Sequence, residues 1–207
     1  FRQAAPQGSI FKLVVAYEAL AQRYKELKEK HKTLETMNPL EIVDEVRKVS
    51  KGRGKYSWIV GHTSEGEPLT RMYKGGRLPR SDRHNIGKIN IVRALEVSSN
   101  PYFSLLAGEV LEDPEDLNRA AHDFSFGEKT GIDIRGEISG KLPDDIRTNK
   151  TGLYSYAMGQ HTLVVTPLQT AIMLSSLANG GAVFTPKVVA NTVGREVIAD
   201  TKGGVSS

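Results

Sequence analysis

Residues 8–20 read GSIFKLVVAYEAL, with Gly8 and Ser9 standing at the start of an apolar pattern. Its apolar residues recur at the spacing of one buried helix face: Ile10, Leu13, Val14, Tyr17 and Leu20. The pattern continues through AQRYKELKEKHKTLE as a short heptad stripe among charged residues: Tyr17, Leu20, Tyr24, Leu27, His31 and Leu34. Because the stripe is short, it predicts an amphipathic arm or a helical hairpin in preference to a coiled-coil dimer.

The composition is that of a globular chain. It has 207 residues, of which 39% are hydrophobic and 25% charged, enough for one packed domain or slightly more. No apolar run reaches the roughly 18 residues that predict a membrane span. The chain begins at Phe1 and not at Met, so we expect any membrane anchor to lie outside it. Cysteine is absent, which excludes a disulfide, a thiolate metal site and a cysteine nucleophile.

The net charge of +4 is concentrated in one segment. Residues 22–55 hold ten Lys or Arg and six Asp or Glu, whereas the rest of the chain is balanced. Such a segment fits a solvated helical arm, or a contact with anionic lipid, phosphate or an acidic partner. It lacks interleaved aromatic residues and a nucleic-acid reading motif, so nucleic acid is not an expected partner.

Further helices and strands are predicted along the chain. Residues 39–49 have the pattern of a second amphipathic helix, and Asp113-Pro114 and Thr166-Pro167 have the composition of helix starts. The helix after Thr166 is apolar nearly all round and is expected to be central and buried. The remaining predictions are helices at 91–97 and 101–111, and short strands at 56–60, 183–184 and 188–189 in otherwise irregular chain.

The first candidate catalytic pair is Ser9 and Lys12, in a Ser-x-x-Lys pattern. Three residues along a helix place both side chains on one face. A serine hydroxyl needs a base within hydrogen-bond reach, and a partly desolvated lysine can serve as that base. Backbone N–H groups at the helix start can stabilise a developing oxyanion. Composition alone yields roughly one such match in a chain of this length, so the pattern needs support.

The second candidate is Ser98-Ser99-Asn100, a Ser-x-Asn pattern. The Ser98 hydroxyl can relay a proton, and the Asn100 amide can hold a substrate carbonyl and N–H together. By itself the string Ser-Ser-Asn-Pro equally fits a turn or a helix cap.

The third pattern, Lys129-Thr130-Gly131, completes a set typical of serine acyl-enzymes that act on penicillins and peptidoglycan. A catalytic Lys-Thr-Gly should follow an apolar run and lie on a strand that lines the cleft. Here it stands in a Gly-rich stretch, only 31 residues after Ser98. We therefore interpret Thr130-Gly131 as turn residues and not as part of the site.

Several blocks of the chain resemble class B penicillin-binding proteins, the monofunctional transpeptidases of cell elongation and division. The resemblance covers the chain except about residues 22–80. In chain order the blocks are Gly8-Ser9-Ile10-Phe11-Lys12, Ala94–Asn100, Phe126-Gly127 with Thr130-Gly131-Ile132-Asp133 and Gly136-Glu137, Gly159-Gln160, and Thr166-Pro167-Leu168-Gln169 through Leu177-Ala178-Asn179-Gly180-Gly181. The last three blocks are more specific than the short triplets.

The resemblance implies an α+β fold of the penicillin-binding and serine β-lactamase type, with a helical region beside an antiparallel sheet backed by helices. It implies a serine-type D,D-transpeptidase that cross-links peptidoglycan stem peptides through an acyl-enzyme on Ser9. Lys12 would activate Ser9, Ser98 would carry a proton to the leaving group, and Asn100 would position the acyl donor. β-Lactam antibiotics would acylate Ser9. No metal or organic cofactor is implied.

The same resemblance implies a bacterial cell-envelope location, on the extracytoplasmic or periplasmic face of the membrane, with other cell-wall synthesis proteins as partners. Residues 1–207 would form a partial transpeptidase domain with a charged helical insertion at about 22–55. The Lys-Ser/Thr-Gly strand of the family is absent, so we expect the isolated chain to be a poor or inactive transpeptidase. Pro6-Gln7-Gly8-Ser9 also departs from the usual Pro-Gly-Ser entry to the nucleophile.

Two other functions fit parts of the sequence. A serine β-lactamase or β-lactam sensor would need a dedicated deacylating base, and no suitable block is present. A non-catalytic interaction protein of the cell-wall machinery would use the charged arm for docking and would tolerate loss of Ser9.

Overall fold

The computed structural model describes residues 1–33, 40–48, 56–62, 64–65, 68–72, 86–190 and 201–202. Among these residues, no helix combines the length and the apolar character needed to cross a membrane. A 3₁₀ turn, Gly8–Phe11, leads directly into the longest helix. The α-helices are α1 Lys12–Glu29, α2 Ile91–Glu96, α3 Asn100–Leu105, α4 Pro114–Asp123, α5 Lys150–Tyr156 and α6 Pro167–Ala178, with a π-helical turn Leu106–Val110 after α3.

The strands of the described residues form two antiparallel sheets. The first has the order β3-β2-β1-β4, with β1 hydrogen-bonded to both β2 and β4. The second pairs β5 with β6. The strands are β1 Ile42–Lys48, β2 Tyr56–His62, β3 Pro68–Met72, β4 Gly87–Ile89, β5 Val183–Phe184 and β6 Thr201–Lys202. Together with the helices, the two sheets confirm the predicted α+β class.

The predicted second helix at 39–49 is wrong, because β1 occupies Ile42–Lys48. Ile42, Val43 and Val46 are β-branched and lose side-chain freedom in a helix, while β2 and β4 supply pairing partners on both sides. Within the described part of the predicted 22–55 insertion, the helix ends at Glu29. The last heptad position, Leu34, lies outside the described residues.

The core is built around the start of α1. Phe11, Val14 and Val15 have no exposed surface. The Phe11 ring stacks on Tyr156 of α5, with the ring centroids 4.7 Å apart, and on Phe126 at 6.1 Å. Each such buried aromatic or aliphatic side chain contributes about 2 kcal/mol of hydrophobic stabilisation. The turn that carries Ser9 is thereby fixed to the hydrophobic core.

Both predicted helix starts are confirmed as capping boxes, at Asp113 for α4 and at Thr166 for α6. In the second box, the Gln169 side chain accepts from the Thr166 N–H through Oε1. Its Nε2 lies within 3.0 Å of three backbone carbonyl oxygens, those of Ser125, Glu128 and Ser139. One fully buried glutamine thus ties α6 to the irregular chain between α4 and α5.

Two predictions near the end of the described chain need correction. Helix α6 is not buried all round, since Leu174 and Leu177 are 43% and 41% exposed. An apolar pattern around the whole helix does not specify which face is covered, and only the face with Ile172 and Met173 is buried. Residues 188–189 form no strand, because the N–H groups of Val188 and Val189 donate to the Asp133 carboxylate. These bonds lower the pKa of Asp133.

Candidate active site

The four predicted site residues come together at the start of α1. Ser9 lies in the turn Gly8–Phe11, and Lys12 is the first residue of α1. Ser98 and Asn100 lie at the junction between α2 and α3. The two segments are 86 residues apart in sequence, from Lys12 to Ser98, yet their side chains are in direct contact.

The Lys12 amine is the centre of this cluster. Its Nζ lies 2.6 Å from Asn100 Oδ1 and 2.7 Å from the Ser98 carbonyl oxygen. The hydroxyl oxygens of Ser98 and Ser9 are 2.8 Å and 3.3 Å from the same nitrogen. The two hydroxyl oxygens are 3.1 Å from each other. A proton leaving Ser9 therefore has both a base and a second hydroxyl within hydrogen-bond distance.

Burial sets the protonation of Lys12. The side chain is only 1% exposed, and its Nζ stands 5.7 Å from the centroid of the buried Phe103 ring. Desolvation disfavours the ammonium and lowers the pKa of Lys12 from 10.5 to about 8. A substantial fraction of the amine is then neutral near physiological pH and can accept a proton.

Ser98 holds its position in an unusual backbone conformation. It has a φ of +52°, in the left-handed region that glycine occupies most easily. The Ser98 N–H donates to the Leu95 carbonyl, and the Ser99 N–H donates to the Ala94 carbonyl. This is the Schellman pattern that ends a helix, here α2, with serine where glycine is usual. Backbone strain of this kind is concentrated at functional sites in proteins.

Ser99 explains why the string Ser98-Ser99-Asn100-Pro101 fits a helix cap as well as a Ser-x-Asn pattern. Its hydroxyl accepts from the Tyr102 N–H at 3.2 Å and caps α3. The cap and the end of α2 together turn the chain so that Ser98 and Asn100 both face Lys12. The string Ser-Ser-Asn thus caps α3 through Ser99 and places Ser98 and Asn100 in contact with Lys12.

As predicted, Lys129-Thr130-Gly131 does not lie on a strand. The triplet lies in irregular chain after α4. Thr130 is buried, and its N–H and hydroxyl both donate to Glu137 Oε1. The Gly131 N–H donates to Glu137 Oε2. These hydrogen bonds join the Thr130-Gly131 block to the Gly136-Glu137 block and close the loop between them.

Sequence reasoning assigned no role to three residues that surround the cluster. Phe103 flanks the Lys12 amine, Tyr156 stacks on Phe11, and Gly159 contacts Gly8. Gly159 did carry a signal, since it belongs to one of the blocks of the resemblance. In the part of the chain that is described, no group of three or more metal-ligating side chains is placed to hold a metal ion.

The fold has a counterpart among solved structures. The crystal structure of Pseudomonas aeruginosa PBP2 in complex with WCK 5153 superposes with a TM-score of 0.65 and 21% identity, covering 98% of this chain and 40% of that one. At this identity the likeness shows the fold alone. It places the chain in the class of penicillin-binding transpeptidase folds.

Sequence comparison then gives the family. The model described as penicillin binding protein transpeptidase domain matches residues 67–204, and the chain belongs to this family, with class B penicillin-binding proteins as its relatives. The match includes Ser98 and Asn100, while Ser9 and Lys12 precede it.

Two curated relatives illustrate the similarity. The peptidoglycan D,D-transpeptidase MrdA of Acinetobacter baumannii is 33% identical over 116 residues, which is 52% of this chain and 17% of the relative. The stage V sporulation protein D of Bacillus subtilis is 37% identical over 114 residues, 55% of this chain and 17% of the relative. The aligned part thus spans less than a fifth of each relative.

Proposed function

We propose that the protein to which this chain belongs is a serine-type peptidoglycan D,D-transpeptidase with Ser9 as its nucleophile. The observation that carries the proposal is the convergence of Ser9, Lys12, Ser98 and Asn100 in one hydrogen-bonded cluster. Membership of the transpeptidase family supports the same reaction.

In the first half-reaction, the Ser9 Oγ attacks the carbonyl carbon of the penultimate D-Ala of a stem peptide. Neutral Lys12 takes the hydroxyl proton, because its Nζ is 3.3 Å from that oxygen. The bond from the carbonyl carbon to the nitrogen of the terminal D-Ala breaks, and an ester to Ser9 forms. The proton passes to the leaving nitrogen through Ser98, whose hydroxyl contacts both Lys12 and Ser9. Free D-Ala leaves.

In the second half-reaction, the amine of a neighbouring stem peptide attacks the ester carbonyl. A new amide bond forms, the ester bond to Ser9 breaks, and the proton from the amine returns to the Ser9 oxygen along the same path. Asn100 positions the acyl-donor amide and orients Lys12 through its Oδ1. β-Lactams enter by the first step and leave a long-lived ester on Ser9.

The proposal also covers the partners of the protein, its cellular location and its domain organisation. Stem peptides, β-lactams and other cell-wall synthesis proteins are the proposed partners, and the bacterial cell envelope is the proposed location. We place residues 1–207 in one partial transpeptidase domain interrupted by a charged insertion at about 22–55. The start of the family match at residue 67, after this segment, supports that division.

A direct assay tests the reaction. The product of the complete gene is incubated with a stem peptide ending in D-Ala-D-Ala and an amine acceptor, and released D-Ala and cross-linked peptide are quantified by mass spectrometry. We expect both products from the unmodified protein and neither from Ser9→Ala. Unchanged cross-linking in Ser9→Ala would overturn the proposal. Rapid hydrolysis of a β-lactam, without a persistent ester, would favour a β-lactamase.

A further inference from the structure

The turn that carries the nucleophile rests on a glycine from a distant part of the chain. The Gly8 N–H donates to the Gly159 carbonyl at 2.9 Å. Gly159 has a φ of +73°, and a Cβ at this position would overlap the Gly8 carbonyl oxygen and lie 2.6 Å from the Gly8 carbonyl carbon. Only glycine fits here without displacing the residue next to Ser9.

The same segment supports the nucleophile turn at a second point. Tyr156, the last residue of α5, stacks on Phe11, the last residue of the 3₁₀ turn, with ring centroids 4.7 Å apart. The Gly159 N–H donates to the Tyr156 carbonyl at 2.7 Å, which joins the two supports. Both ends of the turn Gly8–Phe11 are therefore held by residues 156–159.

We infer that Gly159 is a positioning residue for the Ser9 nucleophile, acting through the Gly8 peptide, and that Tyr156 supports the same turn through Phe11. The inference rests on the proposed function, because it concerns the reactivity of Ser9. Gly159 touches neither Ser9 nor Lys12 in any described hydrogen bond, so it acts on the geometry of the turn and not on the proton path.

The distances show why small displacements of this turn matter. The Ser9 Oγ stands 3.3 Å from Lys12 Nζ and 3.1 Å from Ser98 Oγ, near the outer limit of a useful hydrogen bond. Lys12 is fixed separately by Ser98 and Asn100. A shift of Gly8 therefore moves the hydroxyl away from its base while the base stays in place. A misplacement of about 1 Å at a reacting group costs on the order of 100-fold in rate.

The test compares two glycine substitutions with the same backbone cost. Gly159→Ala introduces both the left-handed strain and the overlap with Gly8. Gly180→Ala introduces the same kind of strain, at a φ of +84°, where no atom lies within 4 Å of the new Cβ. Each protein, expressed from the complete gene, is titrated with a fluorescent penicillin, and the final labelled fraction and the rate constant of labelling at saturation are measured separately.

We expect the saturating labelling rate of Gly159→Ala to fall at least tenfold, and that of Gly180→Ala to stay within about twofold of the unmodified protein. A purely structural role would lower the labelled fraction of Gly159→Ala and leave the rate of that fraction unchanged, which would overturn the inference. If the unmodified protein is not labelled at all, the proposed function fails, and the inference with it.

A second pair of variants decides the matter if Gly159→Ala does not fold. Tyr156→Leu removes the ring stacked on Phe11, whereas Tyr154→Leu removes a buried tyrosine of the same helix that packs on Gly108 and donates to Glu109. We expect a similar loss of thermal stability in both, with a labelling rate at least threefold lower only in Tyr156→Leu. Equal rates in the two variants would overturn the inference.

Discussion

The Oδ1 of Asn100 lies 2.6 Å from the Nζ of Lys12, and the carbonyl oxygen of Ser98 lies 2.7 Å from the same nitrogen. Neither oxygen has a proton to give, so Lys12 must donate to both. A neutral amine has two N–H bonds and one lone pair. With both N–H bonds used in this way, the lone pair is left to accept a hydrogen bond from the hydroxyl of either Ser9 or Ser98. The amide and the carbonyl thus bind and orient the amine that we propose as the base.

The pH dependence of acylation follows from the pKa of Lys12. Burial lowers this pKa to about 8, and only the neutral amine can take the Ser9 proton. We expect the second-order rate constant of β-lactam acylation to rise about tenfold per pH unit below pH 8 and to level off above it. Stopped-flow labelling between pH 6 and 10 measures this profile. A rate that is flat across pH 8 would contradict the role of Lys12 as the base.

The same lowered pKa gives a stability prediction. Between pH 8 and 10.5 the unfolded state still binds a proton on Lys12 and the folded state does not, so the free energy of unfolding rises with pH in this window. Compared with Lys12→Met, the unmodified protein should gain up to about 3 kcal/mol from pH 8 to pH 10.5. Urea unfolding at several pH values measures the difference. Parallel curves for the two proteins would show that the amine is not desolvated.

The left-handed backbone of Ser98 predicts a separation of stability from activity. Ser98→Gly and Ser98→Ala both remove the hydroxyl, but only glycine relieves the strain at a φ of +52°. We expect Ser98→Gly to be about 1 kcal/mol more stable than Ser98→Ala. Acylation should be slowed to a similar extent in both. Thermal unfolding and labelling rates on the two variants test this, and a less stable glycine variant would argue against strain at Ser98.

The buried Gln169 side chain predicts a large structural effect. Gln169→Leu leaves three carbonyl oxygens and the Thr166 N–H without this partner, at a cost of about 3 to 5 kcal/mol. The exposed Gln160 provides a control, because Gln160→Leu should change the free energy of unfolding by less than about 0.5 kcal/mol. Chemical denaturation of both variants compares them. Equal effects would mean that Gln169 does not tie α6 to the preceding loop.

The sequence predicts local structure well where a residue's own chemistry specifies it. Asp113 and Thr166 begin helices because their side chains satisfy backbone N–H groups within three residues, and no distant contact is needed. The Ser9 and Lys12 pair is equally local. The contact of this pair with Ser98 and Asn100 was predicted only through the family resemblance, since no spacing rule connects positions so far apart in sequence.

The errors occur where partners are distant. Ile42, Val43 and Val46 fit a helical face and a strand equally well, and the pairing of β1 with β2 and β4 decides between them. Val188 and Val189 have strand propensity, yet a carboxylate 55 residues away takes their N–H groups. The contact between Gly159 and Gly8 also depends on distant partners. A Cβ at position 159 would overlap the Gly8 backbone only in the folded chain, so the sequence alone does not show why glycine is required.

The most direct test of the proposed function is whether a β-lactam acylates Ser9. Intact-mass analysis after exposure to the β-lactam, followed by peptide mapping, measures this. With the product of the complete gene, we predict one adduct per polypeptide, located on Ser9, and none in Ser9→Ala. The absence of any adduct, or an adduct on a different residue, would contradict the assignment of Ser9 as the nucleophile.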